Sequence, residues 1–451
     1  MKRRTLFAAS LGFFLVVLDT TIVNVALPAI GEDLDADLSE LQWVVDAYVV
    51  VFAGLLLSSG ALSDRIGAVR CYSLGMAAFA AASLACAAAP SLEILLAARV
   101  AQGAAAALLL PSSLSLIRGA YPEAGERARA IGIWAAIGGG ALAAGPVLGG
   151  ILTDGIDWRA IFVINLPFAI AAVWLTAGAP RVRRRPDPLD VPGQLAAIVA
   201  VVALTFAVIE GGHEGFGSAP ALAAAVLAAV AAVAFVAIER HSSHPAVPFE
   251  LFRSRVLSSA VAIGLIFNFA FYGQVFVLSL FFQQVLGQSP FEAGLMFLPL
   301  TALITGVNLI AGRFTALHGP RPPLLAGQVV MGAGFAAFSL VDASTPIAVI
   351  LALLVPIGVG GGFAIPPLTA AMLESVPESQ AGLASGSFNA ARQIGGGLGV
   401  AVFGAMIASD FVASMQASML LAAAGIAITL ALSAAYIHSP SPAHAPATAG
   451  R

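Results

Sequence analysis

The sequence predicts an all-α integral membrane protein with fourteen transmembrane helices: two six-helix bundles separated by an inserted two-helix hairpin. Three observations carry that prediction. Only 10% of the 451 residues are charged and 59% are hydrophobic, with a mean hydropathy of +0.96, whereas a soluble domain holds about 25% charged residues. Apolar runs of about 20 residues, the length that crosses a bilayer, recur along the chain. The basic residues gather in alternate connections between those runs.

The first run, 6–29, follows the basic start MKRRT. It resembles a secretory signal, but no small-residue cleavage site precedes Asp19, so it reads as a retained helix. Runs 2 (41–62) and 3 (70–89) are joined by GALSDRIGAVR; Cys71 and Cys86 lie in the third and define no disulfide framework or metal site. Runs 4 (92–118), 5 (127–153) and 6 (160–178) complete a first bundle over 1–180. Runs 7 (191–210) and 8 (219–238) form the hairpin within 181–252, between RVRRRPDP and ERHSSHPAVP. The last six runs, 257–284, 291–313, 322–341, 346–373, 382–408 and 416–437, make a second bundle over 253–437, followed by a tail, 438–451.

Of the 21 Lys and Arg residues, all but Arg99, Arg159 and Arg392 fall on one side of this arrangement. The opposite connections hold acids, among them Glu32, Asp33, Asp35, Asp37, Asp154 and Asp342. The positive-inside rule places both termini in the cytoplasm of a plasma-membrane protein. The two bundles read as parallel copies. Gly60 and Gly67 match Gly312 and Gly319, Gly103 and Pro111 match Gly358 and Pro366, and Gly132 and Gly145 match Gly386 and Gly399, all at a nearly constant offset. Parallel six-helix repeats are an architecture of secondary transporters, with the substrate site between the halves near the midplane.

Seven stretches, in order, resemble the motifs of the fourteen-helix drug:proton antiporter branch of the major facilitator superfamily. They are LDTTIVNVALPAI (18–30), WVVDAY (43–48), GALSDRIGAVR (60–70), RVAQG (99–103), GPVLGG (145–150), DWRAIFVINLP (157–167) and SGSFNAARQIGGGLG (385–399). The resemblance implies the major facilitator fold and export coupled to protons. It assigns proton coupling to Asp19, Asp46 and Arg99. It assigns gating to Gly60, Asp64, Arg65, Gly67 and Arg70, and close packing of helix 5 to Gly145, Pro146, Gly149 and Gly150. The family has a basic residue where Ala68 and Val69 stand here, which leaves more of the latch pairing to Arg70.

The residues support parts of this on their own terms. A carboxylate at mid-span costs about 2.5–3.5 kcal/mol on insertion scales and is tolerated where it works; the alternative for Asp19 is a polar contact with Asn24 or Thr20. Arg99 stays charged and needs a partner. Its counterpart in the second copy is Leu354, and that of Arg392 is Gly138, so neither cation follows from the repeat. Arg392 serves substrate or pairs with Asn389, Gln393 or a backbone carbonyl. Candidate substrate contacts are Asn24, Trp43, Tyr48, Gln102, Asn268, Tyr272, Gln274, Asn308, Asn389 and Arg392.

The second bundle holds no acid near mid-span and many phenylalanines, which points to neutral or monocationic amphipathic cargo. No phosphate loop, metal-ligand cluster or nucleophile constellation is visible, so the reading is a monomeric non-enzyme without cofactor, metal or nucleic-acid partner, working with protons, a small amphipathic molecule and the bilayer. A dedicated exporter of one metabolite, and a non-transporting sensor or scaffold, are the rival readings.

Overall fold

The computed structural model describes residues 1–179, 190–242, 245, 247, 249–377, 380–407 and 410–437. Side chains at 57, 58, 61, 64, 124, 128 and 309 lie outside that description, as do the arginine cluster 181–185, His244 and the tail 438–451. Among the described residues all regular structure is helical.

The first bundle consists of α1 (Lys2–Leu34), α2 (Leu38–Ile66), α3 (Ala68–Ala87), α4 (Leu92–Ala120), α5 (Ala124–Gly155), α6 (Ala160–Val163) and α7 (Asn165–Thr176). The hairpin is α8 (Val191–Glu214) and α9 (Ala219–His241). The second bundle is α10 (Arg255–Leu280), α11 (Pro290–Met296), α12 (Leu298–His318), α13 (Arg321–Phe338), α14 (Ile347–Glu374), α15 (Ala381–Met406) and α16 (Phe411–Tyr436). Two predicted runs are divided: run 6 breaks between α6 and α7 at Ile164, and run 10 between α11 and α12 at Phe297, just ahead of Pro299. A π-helical turn, Phe281–Val285, ends α10.

Sequence chemistry sets these boundaries. Asp37 opens α2 through a capping box with Glu40, and Ser289 opens α11 in the same way with Glu292. Gly67, at φ 95°, turns the chain between α2 and α3, a conformation that favours glycine. Eleven helices among the described residues are long and apolar enough to cross a membrane. The stretch Ala160–Thr176 is apolar but shorter. The α15 helix falls outside the eleven because it carries Ser385, Ser387, Asn389, Arg392 and Gln393, polar side chains suited to a protein-facing surface. Leu74, Leu84, Val230, Val233, Leu420 and Ile428 are exposed, as a hydrocarbon-facing surface requires.

The two bundles share one packing scheme. In the first, α1 packs on α5 and α7, α4 on α2 and α3, and α3 on α7; in the second, α10 packs on α15 and α16, α14 on α12 and α13, and α13 on α16. The bundles meet where α2 lies on α15 and where α5 lies on α11 and α12. Their mutual hydrogen bonds are Gln283 Nε2 to the Val25 carbonyl (3.0 Å), Ser279 Oγ to the Asn24 carbonyl (2.6 Å) and Thr305 Oγ1 to the Gly139 carbonyl (2.7 Å). These run from the acidic-loop end to mid-height; none among the described residues lies nearer the basic-loop end. The halves are joined at the acidic-loop end, whereas nearer the basic-loop end a Cβ on Gly132 of α5 or Gly312 of α12 would meet open space among the described residues. The hairpin sits on that junction: α8 packs on both α2 and α15, and α9 packs on α8.

Candidate functional site

Helical spacing decides where each acid points. Asp46 and Tyr48 are two residues apart on α2, about 200° around the helix, so they face opposite ways. Tyr48 turns into the first bundle and Asp46 turns toward α15. Arg99 and Gln102 are three apart on α4 and share a face.

That face of α4 meets Asp19. Arg99 Nη1 forms an ion pair with Asp19 Oδ2, and Gln102 Nε2 donates to Asp19 Oδ1 at 2.7 Å. Asn165 Nδ2, at the start of α7, donates to the same oxygen at 3.3 Å. Arg99 also donates to Gln102 Oε1 (2.7 Å) and, through Nε, to the Val44 carbonyl (2.9 Å). Ser83 Oγ accepts from Gln102 and from Asn165. The Tyr48 ring lies 4.5 Å from the guanidinium, in cation–π contact, and its hydroxyl donates to the Val16 carbonyl at 3.3 Å. Asp19 and Arg99 have no exposed surface. The close approach of α4 to α2 needs Gly103: a Cβ there would lie 3.1 Å from Tyr48 Cα. The result is a closed polar network binding α1, α2, α3, α4 and α7 together.

This places several predicted residues in new company. Asp19 is paired with Arg99 and not with Asn24 or Thr20, whose side chains bond to their own helix. Tyr48 and Gln102, candidates for substrate contact, belong to this network. Asn165 and Ser83 are additions. Asn165 stands out in hindsight as an amide in an apolar run inside DWRAIFVINLP, whereas Ser83 in an alanine-rich helix gives no signal.

Asp46 contrasts with Asp19 in every respect but burial. It is fully buried, yet neither carboxyl oxygen has a hydrogen-bond partner among the described residues. It is sealed against Gly397 of α15: a Cβ on that glycine would lie 3.3 Å from Asp46 Oδ1, beside Val49 and Val50. Burying an ionised carboxylate with no donor costs several kcal/mol.

The GPVLGG helix serves both contacts of α5. Gly145 and Gly149, four apart, face α1; a Cβ on Gly149 would lie 2.7 Å from the Ile22 carbonyl oxygen. Pro146 and Gly150, also four apart, face α11; a Cβ on Gly150 would lie 2.7 Å from Phe291 Cα. The helix continues unbroken through Pro146. A Gly150→Ala protein is expected to resist closure of the acidic-loop end while the first bundle stays intact. Labelling of a cysteine placed at Gln288 should then rise several-fold over the parent; unchanged labelling would remove Gly150 from the junction.

Of the gating residues, Gly60 approaches Pro111 and Gly67 forms the turn, while Arg65 and Arg70 are exposed without an ion pair among the described residues. The Asp64 side chain is outside the described set. Of the remaining substrate candidates, Trp43 packs near Phe206 of α8, Asn389 donates to Ser385 of its own helix, and Asn308 is partly exposed. Gln274 is fully buried with neither side-chain polar atom bonded. Tyr272 lies beside Thr20 across the junction, and Arg392 Nε donates to Asn268 Oδ1 at 3.3 Å.

Two like-packed helical bundles, joined at one end and carrying buried charge, have the build of a membrane transporter. The chain belongs to the Major Facilitator Superfamily, which it matches over residues 9–400; members of this family are transporters and not enzymes. It is 38% identical over 424 residues to the "Methylenomycin A resistance protein" of Streptomyces coelicolor, covering 94% of this chain and 89% of that one. It is also 38% identical over 416 residues to the "Multidrug resistance protein Stp" of Mycobacterium tuberculosis, covering 91% and 77%. Among solved structures, a bacterial homologue of the human lysosomal transporter Spinster, in an inward-facing and unoccupied conformation, superimposes with a TM-score of 0.70 at 18% identity, over 98% of this chain and 99% of that one.

Proposed function

We propose that the chain exports amphipathic drugs from the cell by alternating access, driven by inward proton movement, with Asp46 as the proton carrier. Its drug-resistance relatives match more than nine-tenths of its length, which supports cargo of that kind. In this reading fourteen helices cross the membrane, in bundles 1–180 and 253–437 flanking the hairpin, and the protein works as a monomer. The basic-loop end is cytoplasmic, so the present arrangement is the inward-facing state.

The single observation that carries the coupling is the donor-free burial of Asp46 at the α2–α15 contact. When the outer junction is open, the carboxyl meets external water and takes a proton. Closure over the ionised form is penalised by its desolvation, so the halves close outside only around the neutral acid. Cargo binding between the halves on the cytoplasmic side then loosens the α2–α15 contact from that side, and the Asp46 carboxyl gives its proton to cytoplasmic water. Reopening outward releases the cargo. Only this difference in affinity between the two states can do work. Asp19 stays engaged with Arg99 throughout, as part of the network that holds the first bundle together.

Everted vesicles energised by proton pumping are expected to accumulate cationic and neutral dyes when they carry this chain, and to lose the gradient when a protonophore is added. Accumulation that survives the protonophore would reject proton coupling; no accumulation of any dye would reject drug export.

A further inference from the structure

Two arginines lie within the helical bundles, and their surroundings differ. Arg99 is paired: a carboxylate, an amide oxygen and a backbone carbonyl accept from it. Arg392, midway along α15, has one protein bond, from Nε to Asn268 Oδ1. Its two terminal nitrogens bond to no described residue, and no carboxylate pairs with it. It is enclosed by the protein yet keeps a partly exposed surface.

Arg392 shares a stripe of α15 with Phe388 and Gly396, each four residues away. The guanidinium lies 5.7 Å from the Phe388 ring, and its stem packs on Gly264 of α10, where a Cβ would lie 3.0 Å from Arg392 Cγ. Gly396 gives room to Tyr272, whose ring would lie 3.0 Å from a Cβ at that position. Tyr272 in turn meets Thr20 at the junction and stacks edge-on with Phe271. The cation thus stands near Tyr272, which meets Thr20 of the other half, with the Asn268 amide and the Phe388 ring beside it.

A guanidinium cannot shed its charge, and a charge held away from bulk water without a counterion is costly. We propose that Arg392, with Tyr272 and Asn268, receives the carboxylate of an acidic amphipathic substrate, whose apolar body rests on the neighbouring phenylalanines. Two parallel N–H bonds to a carboxylate match the fork of the side chain. The inference rests on the export reading above and adds acidic compounds to the neutral and monocationic cargo that the composition indicates.

The test uses 2-naphthoate and its uncharged amide as a matched pair, titrated calorimetrically into the purified full chain. The parent should bind naphthoate about tenfold more tightly than the amide, the range expected for charge-assisted hydrogen bonds. Arg392→Gln should lower naphthoate affinity about tenfold and so abolish that preference, with thermal unfolding in detergent that matches the parent's as the check on its folding; Arg392→Lys should keep part of it. Equal affinity for the two compounds in the parent, or a parallel loss of both in Arg392→Gln, would overturn the site. The export reading fails separately, through vesicles that extrude neither compound nor any dye; a naphthoate preference in the titration would still uphold the site.

Discussion

Asp46→Asn is expected to abolish uphill extrusion while leaving downhill exchange of the same dye intact. The amide has nearly the shape of the neutral acid but cannot ionise, so the α2–α15 contact closes around it at any pH. The protein then moves between its two states without a proton. Burying the amide without a partner costs about 1–3 kcal/mol, less than burying the ionised acid, so the closed state remains accessible. In proteoliposomes, counterflow of labelled dye should continue at a rate within a few-fold of the parent, and an imposed pH gradient should no longer concentrate the dye. Gradient-driven accumulation by Asp46→Asn at the parental level would place the coupling elsewhere. Asp46→Glu, one methylene longer, should retain coupling only in so far as Gly397 leaves it room.

The second large effect belongs to Asp19. Asp19→Ala removes the carboxylate that accepts from Arg99, Gln102 and Asn165, and leaves a buried cation without its countercharge. Breaking a buried pair from one side costs about 3–5 kcal/mol, and the network ties five helices together. The single variant should therefore unfold many degrees below the parent in a thermal scan in detergent. The double variant Asp19→Ala/Arg99→Met should regain much of the loss, because it removes both charges together. Equal destabilisation of the single and double variants would mean that the pair is not what holds the network, since contacting groups are expected to show coupling in such a cycle.

The fold was legible because each of its determinants is local. Hydrocarbon-length runs, charge sorting and the repeated glycines such as Gly60 and Gly312 can be read without knowing which helices touch. The break at Ile164 and the split at Phe297 were not legible, since neither falls at a charged residue. The buried charges were legible and their partners were not. Asp19, Asp46 and Arg99 stand out as charges in apolar runs, but composition treats the two acids alike. What separates them is the neighbour each face meets: α4 and α7 bring Asp19 a cation and two amide donors, while α15 brings Asp46 a glycine. That distinction depends on how helices far apart in sequence pack. Tyr48 shows the same limit, for an aromatic near an acid reads as a ligand platform until the 200° separation on α2 is matched to actual neighbours. The hairpin gave no hint that α8 would lie across both halves.

The most direct measurement of the central claim is proton release on adding a transported dye to the detergent-solubilised protein in weak buffer. The parent should acidify the solution as the Asp46 carboxyl gives up its proton, and the Asp46→Asn protein, binding the same dye, should give no signal. Release of equal size from Asp46→Asn would contradict the account.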